Sequence, residues 1–271
     1  MIESKIIAEL MAAAPVFLLV AARALAMIET APLLSSEAIP QAAKIALAGF
    51  AAYAVFLRAP TDGWSLELLS LSFVFLIIGE AIIGIITGFF LTLIFSAFST
   101  AGQFFSLQMG FGASETFDPL SQIENPLMGQ YLNMVAMLVF LVNGGFQQLF
   151  LDGFLRSIQS INVVSLARGR EAVIGMLLAG LTRLFLDAMI ISMPILGTLF
   201  LTSLSTGLIS KAAPQINILS EGFPISITVA FILILATLPF MVEAFSRVVE
   251  SGFSALKIFY AQFAGSAGGA A

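Results

Sequence analysis

Apolar positions gather into six long stretches separated by short polar punctuation. They run over residues 6–26, interrupted by Pro15, then 42–57, then 66–98 with Glu67 and Glu80 as the only charges. The remaining three run over 127–142, over 172–201 with Arg183, Asp187 and Pro194 inside, and over 225–245 with Pro239 inside. A helix rising 1.5 Å per residue needs about 20 residues to cross ~30 Å of hydrocarbon, and most of these stretches suit that task. They are continuous, not alternating, and longer than the ~10 residues of a barrel strand. The pattern predicts an all-α integral membrane protein. The third stretch would be on the order of 50 Å long as a straight helix, which requires tilt, a break or projection beyond the bilayer. The second is short and Ala-rich, as a packing helix would be.

Composition sharpens this picture. Of 271 residues, 59% are hydrophobic and 10% charged, with a mean hydropathy of +1.06. Soluble domains carry about 25% charge, so this chain could not solubilise its own exterior. The basic residues are scattered singly, which leaves no patch for nucleic acid despite a net charge of −5. The opening Met-Ile-Glu-Ser-Lys is not the basic start of a signal peptide, so the first helix is expected to stay. With both termini inside, Lys5, Arg58, Arg156, Arg168, Arg170, Arg247 and Lys257 lie in cytoplasmic segments. Arg23, Lys44 and Lys211 then lie outside, and Arg183 within a helix. That imbalance favours cytoplasmic termini.

Catalytic chemistry fails on inventory. The chain has no histidine and no cysteine, which removes the commonest general base, thiolate chemistry and the usual transition-metal ligands. No Gly-x-Gly-Asp intramembrane protease motif and no Walker phosphate loop occur, and Gly110-Phe111-Gly112 does not extend into a dinucleotide fingerprint. The expectation is a non-enzyme without metal or cofactor.

Three constellations carry information. Glycines at Gly79, Gly84 and Gly88 surround Glu80, and the four-residue spacing lets another backbone approach one helix face. Glu80 is ionisable deep in an apolar helix, which points to a buried structural pair or to a proton or gating role. Arg183 and Asp187, four apart, can neutralise each other along their helix. The connection 99–126 has no Lys or Arg, yet holds Gly102, Gly110, Gly112, Phe104, Phe105, Leu107, Met109, Phe111 and Phe117 before Asp118-Pro119. Such a greasy, glycine-rich loop either packs within an assembly, plugs a cavity, or lies on headgroups. The stretch from Lys211 through Pro214, Gln215, Asn217 and Glu221-Gly222-Phe223-Pro224 reads as a structured turn.

These residues together resemble the FliR/SctT family of type III export proteins, nearly end to end. The resemblance rests on Arg23 with Pro32, Pro40 and Lys44, on Gly79-Glu80 through Gly84 to Gly88, and on Ala101-Gly102-Gln103 through Gly110 to Asp118-Pro119. It also rests on Asn143-Gly144-Gly145 and on Gly207-Leu208-Ile209 through Pro214-Gln215 and Asn217 to Gly222-Phe223-Pro224. Phe146 stands where the family is expected to have histidine. The resemblance implies a single export-gate domain over 1–271 with a disordered tail at 261–271, at the bacterial inner membrane in the flagellar basal body. Such subunits assemble with FliP and FliQ, beside FlhB and FlhA, as hairpins stacked in a spiral around a conduit for unfolded substrates. The loop mapped onto Phe104–Asp118 would be the plug, and Gly79, Glu80, Gly84, Gly88, Pro214, Gln215, Asn217, Gly222 and Pro224 would serve helix packing and assembly. The alternatives are a virulence-type homologue of the same family and a small proton-coupled transporter using Glu80, Arg183 and Asp187.

Overall fold

The computed structural model describes residues 2–56, 70–110, 127–212 and 218–267. Every element among them is helical: α1 (Ile2–Thr30), α2 (Gln41–Phe56), α3 (Leu71–Met109), α4 (Leu127–Val142), α5 (Gly145–Gln148), a π-helical stretch (Leu149–Leu155), α6 (Arg156–Ser160), α7 (Val163–Arg168), α8 (Arg170–Ala212) and α9 (Ile218–Ala267). The all-α expectation holds. Leu71–Met109, Arg170–Ala212 and Gly222–Phe263 are each long and apolar enough to cross a membrane, and Leu127–Val142 with Gly145–Ser160 can serve as a fourth span. At 1.5 Å per residue, the 39 residues of α3 extend about 58 Å and the 50 of α9 about 75 Å. Both exceed the ~30 Å hydrocarbon core. The 16-residue α2 falls short of it, as a packing helix should.

The helices extend past their predicted ends. Residues 99–109, expected in a loop, complete α3. The turn expected over 211–224 is helical at Lys211 and Ala212 and again from Ile218, which puts Gly222, Phe223 and Pro224 inside α9. Proline there removes one donor, and Thr228 Oγ1 donates back to the Pro224 carbonyl at 2.7 Å. The tail stays helical as far as Ala267. Between α4 and α8 lies a helical stretch that the apolar pattern did not mark. Gly144, at φ 69, starts it by taking the left-handed backbone that side chains disfavour.

The chain divides into two compact units, one built from 1–92, 144–178 and 252–271 and the other from 93–143 and 179–251. In the first, α1 and α2 form an antiparallel hairpin. Phe17 meets Phe56 edge-on at 6.3 Å at one end, and Lys44 Nζ reaches Glu29 Oε2 at 3.0 Å and the Ser35 carbonyl at 3.2 Å at the other. In the second, aromatic rings pair within a largely aliphatic core. Phe95 packs on Phe140 at 5.3 Å and Phe98 on Phe245 at 4.6 Å. Asn143 Nδ2 donates to Ser246 Oγ at 2.8 Å beside them.

Candidate functional site

The packing glycines of the first unit sit on a seam between α1 and α3. Gly84 faces the Arg23 carbonyl and Ala26, and a Cβ on Gly88 would come within 2.8 Å of the Met27 carbonyl. One turn on, Thr92 Oγ1 donates to the Thr30 carbonyl at 2.7 Å. The partners climb together, from Arg23 with Glu80 to Thr30 with Thr92, so the two helices run parallel. Thr30 bonds its own Ala26 carbonyl at 2.8 Å, which satisfies its hydroxyl inside the contact. Gly79 faces a different neighbour, the methyl groups of Val163.

Glu80 caps this seam with a charge. Arg23 is buried and donates through Nε to Glu80 Oε2 at 2.5 Å. Its remaining nitrogens reach Ser157 Oγ at 3.4 Å and the Ile161 carbonyl at 3.0 Å. One guanidinium thus ties α1 to α3, to α6 and to the residue that follows α6. Low polarity makes such a pair stringent, because losing either member strands the other charge away from water. Of the two readings of Glu80, the pairing is the one the geometry displays. The sequence assigns Arg23 to the orientation bias and to the family resemblance and gives it no partner, although a charge inside the apolar run 6–26 is itself the signal that a partner exists. Arg183 and Asp187 do pair, at 3.4 Å along α8.

The second unit holds a tighter approach that was not anticipated. A Cβ on Gly102 would lie 2.6 Å from the Gly129 backbone, and one on Gly129 would lie 2.9 Å from the Ser99 carbonyl. Here α3 and α4 touch backbone to backbone, antiparallel, since Phe95 meets Phe140 while Gly102 meets Gly129.

The expected plug divides in two. Phe104, Phe105 and Met109 lie on the last turns of α3, with Phe105 and Met109 fully buried, while Leu107 is exposed. Gly110 ends the helix at φ +88, with the Phe223 ring occupying the space a side chain would need. Phe111, Gly112, Phe117 and Asp118 lie outside the described residues, as do Pro214, Gln215 and Asn217. Gly222 and Pro224 belong to α9.

A further polar network holds the π-helical stretch. A π-helix leaves the i→i−4 ladder, and such stretches recur at functional positions. Tyr260, buried on α9, donates its hydroxyl to the Gly153 carbonyl at 3.2 Å and lies 2.9 Å from Thr87 Oγ1. Among the described residues no group of three His, Cys, Asp or Glu could hold a metal ion.

The fold and its seams define a helical membrane protein in which Arg23, Glu80, Thr87, Thr92 and Tyr260 join one helical segment to another. The family described as Bacterial export proteins, family 1 matches residues 14–252, and the chain belongs to it. The flagellar biosynthetic protein FliR of Escherichia coli (strain K12) is 30% identical over 80% of this chain and 82% of its own. That of Bacillus subtilis (strain 168) is 30% identical over 88% and 93%. The surface presentation of antigens protein SpaR of Shigella flexneri is 31% identical over 59% of each chain.

Proposed function

We propose that this chain is a subunit of a flagellar type III export gate in the bacterial inner membrane. It forms, with FliP and FliQ and beside FlhA and FlhB, a conduit through which unfolded flagellar proteins pass. The observation that carries the reading is the family match from residue 14 to 252 together with relatives named for flagellar biosynthesis along most of their length. The protein acts as a structural conduit component, not as an enzyme. The segment Phe104–Asp118 serves as the plug, its root anchored by Phe105 and Met109 on the last turns of α3. Apolar side chains seal such a pore by excluding water.

The Shigella relative favours a second reading, a virulence-type secretion gate, with the weaker support of a 59% overlap. Tagged chain should recover FliP and FliQ in one large complex, and loss of the gene should abolish swimming. Deleting residues 111–118 should leave that complex intact and make cells permeable to small molecules. A chain that purifies alone from cells making all three proteins overturns the gate assignment. A deletion that assembles, exports and stays tight overturns only the plug.

A further inference from the structure

In the first unit, α2 and the π-helical stretch line a cavity of about 510 Å³. All nine lining side chains are apolar, among them Phe50, Val55, Leu151 and Leu155. Phe50 and Leu151 are 71% and 58% exposed, so the cavity opens at the protein surface. The residues directly after two lining positions are charged. Asp152, which follows Leu151, accepts from Arg156 Nε at 2.8 Å and from Lys257 Nζ at 3.0 Å. Arg156 follows Leu155 directly. Two cations on one carboxylate leave the cluster with a net charge of +1. Arg156 and Lys257 stay 51% and 42% exposed, and among the described residues the terminal guanidinium nitrogens of Arg156 have no partner.

We propose that this cavity and the Asp152–Arg156–Lys257 cluster form a binding site for one anionic phospholipid, an acyl chain in the cavity and the phosphate on Arg156 and Lys257. Charge complementarity selects the headgroup, because Asp152 and Arg156 each sit one position on from the lining pair Leu151 and Leu155, which puts the uncompensated cation on the stripe flanking the apolar one. The wholly apolar lining suits a hydrocarbon chain. The site depends on no partner subunit and stands apart from the conduit reading.

The full chain, reconstituted in nanodiscs of equal phosphatidylglycerol and phosphatidylcholine, tests this by native mass spectrometry of the lipid retained. One phosphatidylglycerol should be kept, with a preference of about fivefold, the scale of one basic charge at an anionic headgroup. Arg156→Gln with Lys257→Gln should abolish the preference. Ala54→Trp, at an exposed lining position, should remove the bound lipid of either kind. Asp152→Asn keeps both cations and should strengthen the preference, whereas simple damage to the cluster would weaken it. A photo-crosslinker at Phe50 in cells should capture lipid. No headgroup preference in the wild type, a preference indifferent to the charge variants, or crosslinks to protein alone overturns the proposal.

Discussion

Arg23 and Glu80, 57 residues apart in sequence, meet at 2.5 Å with side chains only 3% and 12% exposed. Their joint removal and their separate removal should differ sharply. Arg23→Leu or Glu80→Leu alone should cost about 3–5 kcal/mol by stranding a buried charge, while the double Leu variant should lose markedly less. Thermal unfolding of the detergent-purified chain measures this. Equal losses from single and double variants would show that the pair contributes through packing alone.

Gly84 faces the α1 backbone within the same unit, so its substitution should act on the fold before it acts on assembly. Gly84→Leu should destabilise the isolated chain by at least the ~1–3 kcal/mol of ordinary overpacking, since backbone cannot step aside as a side chain can. Gly175, with nothing within 4 Å of an added Cβ, should tolerate alanine. Melting curves of the two variants side by side decide the matter, and equal stability would contradict the seam.

Gly110 combines a φ of +88 with the Phe223 ring lying where a side chain would go. Gly110→Val should carry about 1–3 kcal/mol of backbone strain and should slow export without leak, because it alters the root of the plug and leaves its apolar residues in place. Phe223→Ala should partly rescue Gly110→Val by freeing that space. Secreted flagellin and dye influx, measured on the same cells, separate slowed export from leak.

Tyr260 gives the Gly153 carbonyl of the π-helical stretch a second donor beside the Arg156 backbone N–H. Tyr260→Phe keeps the ring and removes only the hydroxyl, leaving the Gly153 carbonyl with its backbone donor alone, at a cost of about 0.5–1.5 kcal/mol. Thr87→Val should cost less, because Tyr260 still donates to the Gly153 carbonyl and the Ile83 carbonyl keeps its helical donor within α3. Amide exchange over residues 149–155 should rise in Tyr260→Phe; unchanged protection there would place the stability of the stretch elsewhere.

The bias of basic residues toward one side predicts cytoplasmic termini. Alkaline phosphatase fused after Ala271 should therefore be inactive, and a reporter that works only in the cytoplasm should be active at the same position. High phosphatase activity would reverse the orientation.

What the sequence settled by itself was solvent and secondary structure. Long uncharged runs have one stable environment, and within it the backbone satisfies its polar groups locally, so 127–142 emerged as α4 without adjustment. Glu80 likewise declared its need for a partner, and the motifs pointed to the family that the matched residues 14–252 establish. The tertiary structure decided everything that depends on which helix faces which. Residues 99–109 read as a loop because Gly102, Ser106 and Gln103 break the apolar run, yet they are helical, and Gly102 is small because the α4 backbone passes over it. Arg23 became Glu80's partner only when α1 and α3 came to lie parallel. The π-helical stretch gave no local sign, since the side chain that bonds it, Tyr260, comes from α9 and is itself met by Thr87 of α3. Local patterns specify how a backbone bonds to itself, whereas a close approach between segments far apart in sequence exists only once both have been placed.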